Sequence, residues 1–524
     1  MKARVDVVVI GAGHNGLVAA TILARHGLDV AVLEAAPVVG GAVRTEYPFA
    51  RTPGVGASTG AYLLGPMPPE LLATLGIELP LMRRDPHYFL PTLDRRYLLV
   101  GSDADALRRQ YLEFFSEQDW EAARALEREI ADLRDDLAPS WLEEPVSAEE
   151  TAERHIRPQL RRAFLELVRE PVESYLARFG FRSELVLAMY AATDGFPGLS
   201  AGFGSPGTGL NFLVHNMCRL PGADGTWMIV GGGMGTVARE LARVAREAGA
   251  AIHVGTPVVS VLSSGGTVDG VATADGKTIR ATVVVSGADP FRLRELAGRH
   301  AFPEDFNRKL DDLYRPGTTM KVNLALDRLP TFRCLPEDRG QFRSTIHILP
   351  QEPGVIDRLS RAFEQARRGE LPDFPIIEWY THTRVDPSLR DANGRENAAL
   401  FVQWVPYEPA GGSWDELAPR YAHHLFDVVD QFAPGFSAAI ADMDILTPKT
   451  IESRFGMTGG HIQHVDNTIG FDARMPYVTP VAGLYACSAG CHPGGSVVGA
   501  AGYVAARRVL RDLGIAGATS SGGG

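Results

Sequence analysis

The sequence predicts an α/β fold in which one parallel sheet is assembled from segments that lie far apart in the chain. Three observations support this prediction. A buried strand, a glycine-rich turn and a helix follow one another at residues 5–25, and the same succession returns at 226–248 and at 483–513. Between them, residues 319–405 alternate in the manner of antiparallel strands, which indicates a second sheet inserted into the first domain.

The first strand, Val5–Ile10, is almost wholly apolar, as expected of a strand covered on both faces. Gly11 permits a tight turn, Gly13 lets the backbone approach a pyrophosphate, and Gly16 lets the following helix pack closely. The N–H groups at the start of that helix would face the phosphates. Glu34 ends the second strand, where a carboxylate accepts hydrogen bonds from ribose hydroxyls. We therefore predict a dinucleotide site; the alternative is a glycine-rich turn that binds nothing.

The next loop carries two adjacent glycines, Gly40 and Gly41, followed by Arg44. Two glycines in succession would let this loop reach the same ligand, and Arg44 could pair with the phosphates. The alternative is a surface loop with a solvated arginine.

Residues 101–185 differ from the first hundred, because apolar residues recur at helical spacing with charges between them. This pattern predicts amphipathic helices, among them 120–137 and 159–168, whose charges are expected to face water. Residues 186–217 are apolar, rich in glycine and low in charge. That composition suits either the lining of a cavity or a buried connector.

The second strand, turn and helix are not predicted to form a second nucleotide site. Residues 226–230 lead into Gly231–Gly235 and a helix over 236–248, but the next strand, 251–254, ends without an acidic residue for a ribose. We interpret the glycine run as a close turn that packs a helix against the first fold. Hairpin strands are expected over 257–285.

The inserted sheet is predicted from four strands of alternating or β-branched character: Thr319–Leu326, Ser344–Leu349, Ile376–Thr383 and Ala399–Val405. A helix over 414–432 follows. The third unit closes the chain, with a strand and glycine turn at 483–495 and a helix from about Ser496 to Leu513.

Composition argues against several classes of protein. The net charge of −11 argues against nucleic acid as a partner. Four cysteines in 524 residues are too few for a disulfide framework and fit a reducing compartment. Polar residues interrupt the N-terminal apolar run, which argues against a signal peptide, and no stretch has the length of a membrane span. We expect a cytoplasmic protein of two or three domains with a disordered tail over 516–524.

Taken together, the motifs resemble those of the FAD-dependent amine oxidase and phytoene desaturase superfamily. GAGHNG at 11–16, Glu34 and Gly40-Gly41 match its N-terminal pattern, and GLYACSAGCHPGGSVVGAAGYVAA from Gly483 is similar to its closing flavin-binding motif. The segment GAYLL at 60–64, followed by Leu71-Leu72 and Gly76-Ile77, is similar to the branch of pyridine nucleotide-disulphide oxidoreductase domain-containing protein 2, close to the bacterial carotenoid desaturases.

The resemblance implies FAD as the cofactor, a discontinuous Rossmann-like FAD-binding domain of the GR2 type, and an inserted α+β substrate domain. The FAD-binding domain would comprise residues 1–100, 222–300 and 450–515, and the substrate domain residues 101–221 and 301–449. Many members carry an arginine directly after the glycine pair, where this chain has Ala42, so that Arg44 would take over its role. The residues that would contact FAD by matching position are Gly11, Ala12, Gly13, His14, Asn15, Gly16, Glu34, Ala35, Gly40, Gly41, Arg44, Val258, Gly287, Gly490, Gly495, Ser496 and Val497.

His492 is the candidate catalytic residue, because it stands in the flavin motif and would face the substrate beside the ring; the alternatives are packing and a covalent flavin link. Cys487 and Cys491 lie next to it, but no further ligands cluster nearby, so no metal is predicted. A helix beginning near Ser496 would direct its positive end at the negative charge of reduced flavin.

The resemblance also implies the reaction, which is hydride transfer from a substrate C–H bond to flavin N5. An apolar small molecule, isoprenoid-like or lipid-like, is the expected substrate, and a histidine or carboxylate would accept the proton if the product is an alkene. Amine oxidation, polyene isomerisation and a non-enzymatic binding role on the same fold stay open. The sequence also leaves open the electron acceptor (oxygen, a quinone or a carrier protein), the oligomeric state and peripheral contact with a membrane.

Overall fold

A computed structural model describes residues 2–515, and the tail that the sequence predicts to be disordered, 516–524, lies outside this range. The described chain folds into a parallel sheet, a seven-stranded mixed sheet and two smaller antiparallel sheets, with helices around them. The predicted α/β fold with an inserted α+β part is confirmed.

The parallel sheet joins strands from both ends and the middle of the chain. Val7–Ile10 is its centre and pairs in parallel with Val30–Leu33 on one side and Val283–Ser286 on the other. The outer strands are Ala251–His253 and Leu484–Ala486. The central strands are fully buried, which explains their continuous apolar sequence.

Three helices cover this sheet: His14–Arg25, Gly235–Glu247 and Ala500–Asp512. The last helix crosses the start of the first one closely, since a Cβ at Gly502 would overlap the carbonyl of Asn15. The helix was expected to begin near Ser496, and this prediction is wrong by about one turn. Ser496 and Gly499 have positive φ angles of 148° and 78°, so the chain forms a loop there before the helix starts at Ala500.

The seven-stranded sheet is larger than expected and contains one parallel junction, between Thr345–Ile348 and Tyr88–Pro91. The latter strand and its hairpin partner Tyr97–Val100 come from residues assigned by sequence to the FAD-binding domain. The predicted boundary at residue 100 therefore does not coincide with a boundary between sheets. In spatial order the strands are Ile440–Leu446, Thr319–Leu326, Glu396–Gln403, Ile376–Tyr380, Thr345–Ile348, Tyr88–Pro91 and Tyr97–Val100.

The two smaller sheets are antiparallel, and the one within residues 258–280 is the sheet that the hairpin pattern predicts. Val258–Ser264, Thr267–Thr273 and Thr278–Arg280 form one of them, and Leu81–Met82 pairs with Ile229–Val230 in the other.

Helices of the segment 101–221 pack into a core of their own against one side of the seven-stranded sheet. They are Ala104–Phe114, Glu117–Leu137, Ala148–His155, Arg161–Arg169, Val172–Ala177, Glu184–Tyr190 and Thr208–His215. A π-helical turn, Ala191–Gly195, continues directly from Glu184–Tyr190. The other helices are Pro69–Leu75, Pro290–Ala297, Glu304–Leu313, Val355–Arg367, Trp414–Phe432 and Pro448–Phe455. Within residues 2–515, no helix combines the length and the apolar character needed to cross a membrane.

Candidate functional site

A single large cavity of about 900 Å³ extends from the carboxyl edge of the parallel sheet to the inner face of the seven-stranded sheet. Most of the residues predicted to contact a cofactor lie on its wall. They are Gly11, Gly13, His14, Asn15, Gly16, Glu34, Ala35, Gly40, Gly41, Arg44, Val258, Gly287, Gly495, Ser496 and Val497. Ala12 and Gly490 are not among the lining residues.

The first glycine loop shows why two of its three glycines are needed. Gly11 has a φ of 89°, which favours glycine, and a Cβ at Gly16 would overlap the carbonyl of Gly11. Gly13 differs, because its φ is −71° and a Cβ there would meet no protein atom within 4 Å. The protein itself therefore gives no steric reason for glycine at position 13.

Glu34 ties the glycine loop to its own strand. Its carboxylate accepts the N–H of Ala12 at 2.7 Å and the N–H of Ala36 at 2.8 Å. The carbonyl of Ala12 in turn accepts the N–H of Gly40 at 2.8 Å. The backbone of Ala12 thus links the first glycine loop to the loop of Gly40 and Gly41 from behind the cavity wall. A carboxylate has about four acceptor positions, so Glu34 keeps two for a ligand.

Arg44 lies at the cavity wall with its guanidinium over the ring of Phe455, 5.6 Å from the ring centroid. The nearest carboxylate oxygen, on Glu46, is 4.0 Å from Arg44 Nη1. The side chain is only 10% exposed, which rules out the solvated surface loop considered from sequence.

The C-terminal loop is held by buried amides. Gly495 donates its N–H to Asn467 Oδ1 at 2.9 Å, and Asn467 Nδ2 donates to Asn211 Oδ1 at 3.0 Å. Gln463 Nε2 donates to the carbonyl of Pro197 at 2.8 Å. These bonds fasten the flavin-motif loop to residues 197–211. They belong to the segment 186–217, whose composition suits either the lining of a cavity or a buried connector.

A buried arginine organises the same loop from behind. Arg474 is almost fully buried and donates hydrogen bonds to the carbonyls of Val465, Asp466, Ala489 and Cys491 at 2.8 to 3.2 Å. Burial lowers its pKa to about 10. Because one guanidinium ties two loops together, the wall around Ser496 is fixed before any ligand binds.

The cavity wall fits a dinucleotide at this end. Four buried polar atoms face no hydrogen-bond partner in the described chain: His14 Nε2, Asn15 Oδ1, Arg44 Nε and His464 Nδ1. Burial lowers the pKa of His14 to about 4 and also lowers that of His464, so both rings are neutral at pH 7. All four residues line the cavity, and unpartnered polar groups at its wall are what a polar phosphorylated ligand requires.

His492 does not reach the cavity. Its Nε2 lies 3.2 Å from the carbonyl of Ser140, and its ring packs edge-on against Phe471 at 4.9 Å between centroids. The placement of His492 does not support the predicted catalytic role, because the side chain points into the core. Cys487 and Cys491 beside it are buried and free, and burial raises the pKa of the Cys491 thiol to about 12.

An aromatic cluster lies where the cavity meets the seven-stranded sheet. The ring of Tyr62 contacts those of Tyr380 and Phe401 at centroid distances of 4.6 and 5.7 Å. Lys321 Nζ sits 4.6 Å from the Tyr62 centroid and donates to the carbonyls of residues 58, 59 and 60 at 2.5 to 3.0 Å. Burial lowers the pKa of Lys321 to about 7, while three carbonyl acceptors favour its protonated form.

A buried acid stands on the other side of this chamber. Asp194 lies in the π-helical turn and lines the cavity, with its carboxylate 3.9 Å from His215 Nδ1. Burial raises the pKa of Asp194 to about 7 and lowers that of His215 to about 4. Sequence analysis missed Asp194, although it is the one acidic residue in the segment 186–217. π-helical turns interrupt helices frequently at functional sites.

The remaining wall of this chamber is largely apolar. It is lined by Leu63, Leu107, Leu126, Ile130, Met189 and Phe212. These residues come from the helical segment and from the loop before Pro69–Leu75, so the cavity lies between the two sheets and the helices, as a substrate site between domains would.

A parallel sheet with a glycine turn and a carboxylate ending its second strand defines a dinucleotide-binding α/β fold. The model of the family described as flavin containing amine oxidoreductase matches residues 16–352. The chain belongs to this family, and its cofactor is FAD.

Similar proteins agree with this assignment. The chain is 34% identical to pyridine nucleotide-disulfide oxidoreductase domain-containing protein 2 of Mus musculus, over 98% of this chain and 94% of that protein. It is 26% identical to hydroxyneurosporene desaturase of Cereibacter sphaeroides, over 97% and 98%. Among solved structures, putrescine oxidase with bound putrescine shares the fold with a TM-score of 0.62 at 17% identity, over 97% and 99%.

Proposed function

We propose that the protein is an FAD-dependent dehydrogenase that removes hydrogen from a C–H bond of a mainly apolar small molecule. The observation that carries this proposal is the continuity of one cavity from Glu34 to the apolar wall of Leu107, Leu126 and Ile130. The similarity to a carotenoid desaturase over nearly the whole chain supports the same substrate class.

The cofactor would be held along the first half of the cavity. Glu34 would accept the ribose hydroxyls, the N–H groups at the start of His14–Arg25 would face the pyrophosphate, and Arg44 would neutralise phosphate charge. The loop of Gly495, Ser496 and Val497 would lie along the flavin. Bound FAD would supply the hydride acceptor, flavin N5.

Asp194 would accept the proton that must leave when the product is an alkene. The substrate loses a hydride from one carbon and a proton from its neighbour, and the proton passes to the carboxylate of Asp194. A pKa of about 7 suits this role, because the carboxylate is ionised in part of the molecules and still basic enough to take a proton. Asn216, whose side chain hydrogen-bonds to this carboxylate, would orient it.

The aromatic cluster gives less support to amine oxidation. Tyr62 and Tyr380 touch each other, so no amine fits between their rings, and the exposed face of Tyr62 already carries the ammonium of Lys321. The protein's own cation thus occupies the position that a substrate amine would take.

The proposal is tested by mixing the purified FAD-loaded protein with candidate substrates in the absence of oxygen. Loss of the visible flavin absorbance with an isoprenoid or long-chain compound is expected, and reoxidation by oxygen or by a quinone then identifies the acceptor. Bleaching by amines alone would establish amine oxidation instead. Product formed without any loss of absorbance or acceptor would indicate isomerisation.

A further inference from the structure

Arg84 is a buried cation that the proposed reaction does not use. It precedes the strand Tyr88–Pro91, is 3% exposed and lines the cavity. Its Nε donates to the carbonyl of Trp227 at 3.1 Å and its Nη1 to Thr345 Oγ1 at 2.6 Å. Two hydrogen bonds to different elements fix the plane of the guanidinium, and within residues 2–515 its Nη2 has no hydrogen-bond acceptor.

The charge of Arg84 has no direct counter-ion in the described chain. Glu378 faces the same chamber, but no carboxylate lies within ion-pair distance of the guanidinium. The Tyr380 hydroxyl donates to Glu378 Oε2, whereas Glu378 Oε1 has no hydrogen-bond partner in the described chain, with His347 Nε2 3.4 Å away. A buried cation without a paired anion is costly, and the cost is recovered when an anionic ligand binds beside it.

The other charged groups of the chamber define what kind of anion fits. Arg83, Arg124 and Arg134 also line the cavity, but each has a carboxylate partner, and Lys321 donates to three carbonyls. Glu378 and Asp194 face the same space and oppose a multiply charged head such as a diphosphate. One guanidinium with one unbonded nitrogen suits a single negative charge. The planar fork of arginine matches a carboxylate in particular.

We infer that Arg84 binds a carboxylate at the end of an otherwise apolar substrate, whose chain lies against Leu126, Ile130 and Phe212. This inference rests on the proposed function and specifies its substrate class. The substrate is a long-chain or isoprenoid carboxylic acid rather than a pure hydrocarbon. The guanidinium holds the polar end, and the apolar wall of the helices receives the body.

Binding is measured without turnover, through the change that a ligand causes in the spectrum of the oxidised, FAD-loaded protein. Dodecanoate and 1-dodecanol are the probes, because they share a chain and differ in the head group. The acid is expected to bind about 10- to 150-fold more tightly than the alcohol, which corresponds to 1.5–3 kcal/mol for a hydrogen bond to a charged group.

Two variants test the residue. In Arg84→Gln the preference for the acid should vanish while the affinity for 1-dodecanol stays within about twofold, and Arg84→Lys should keep part of the preference. Arg83→Gln is the matched control, because the neighbouring arginine is ion-paired with Asp224 and should leave the preference unchanged. FAD content and melting temperature are measured for each variant to verify folding.

Equal affinity for acid and alcohol, no binding of the acid, or a preference that survives in Arg84→Gln would overturn the inference. The outcome is separable from that of the proposed function. If dodecanoate binds through Arg84 and no carboxylic acid of any kind bleaches the flavin, the binding site stands and the dehydrogenase proposal fails.

Discussion

Gly13→Ala provides a direct test of whether the glycine loop exists for the cofactor. In the protein alone, the added methyl group meets no atom within 4 Å, and a φ of −71° is open to alanine. The stability of the FAD-free protein should therefore change by less than about 0.5 kcal/mol. If the pyrophosphate lies against this position, the methyl group displaces it from one backbone N–H.

The expected loss of affinity for FAD follows from the energy of that hydrogen bond. One bond to a charged group contributes about 1.5–3 kcal/mol, so the Kd for FAD should rise about 10- to 150-fold. The assay is titration of the deflavinated protein with FAD, followed by flavin fluorescence, beside urea unfolding of the FAD-free protein.

Gly16→Ala is the contrasting variant, since its methyl group overlaps the Gly11 carbonyl and should destabilise the FAD-free protein by about 1–3 kcal/mol. If Gly13→Ala binds FAD as tightly as the wild type, or destabilises the FAD-free protein as much as Gly16→Ala does, Gly13 does not serve the cofactor.

Four further outcomes are expected. Asp194→Asn should slow anaerobic flavin reduction about 10²- to 10⁴-fold, whereas the wild-type rate should rise with pH through about 7 as the carboxylate ionises; a flat pH profile would exclude Asp194 as the base. The same variant should have a higher melting temperature than the wild type at pH 8. The free-energy cost of ionising the buried carboxylate destabilises the folded wild type increasingly from about pH 4, where the carboxyl group of the unfolded chain ionises, to about pH 7, and is constant above. A lower melting temperature of the variant would contradict this. Lys321→Met should cost about 2–5 kcal/mol in urea unfolding, since three buried carbonyls lose their donor, and an unchanged midpoint would show that the chain relaxes around them. His492→Asn should reduce flavin within about twofold of the wild-type rate in stopped-flow measurements, because the ring faces the core; a large loss with normal FAD content would restore its catalytic role.

The cofactor end of the site was predictable from sequence because its requirements are local. A tight turn, a close helix and a terminal carboxylate each demand a residue type at fixed spacing, so Gly11, Gly16 and Glu34 could be assigned from about 30 residues. The inserted sheet was likewise anticipated from alternation, and Thr319–Leu326 has the bounds predicted for it.

The substrate end depends on contacts that no local pattern encodes. Arg84 and Thr345 meet only because Tyr88–Pro91 pairs in parallel with Thr345–Ile348, across a long stretch of chain. The catalytic role of His492 stays a prediction that its placement does not support, since Ala489 and Gly495 line the cavity while the His492 ring contacts Phe471. Asp194 did leave a signal, as an isolated charge in an apolar segment.

The pairing of Val283–Ser286 with Leu484–Ala486 has a consequence for biogenesis. A nascent chain that has emerged only as far as the seven-stranded sheet already contains the GAGHNG turn. It still lacks the loop of Ser496 and the last helix, which packs against Asn15 at Gly502. Half of the cofactor cradle would be open to water at that stage. A complete FAD site therefore requires the last strand and helix, and free FAD favours completion of folding.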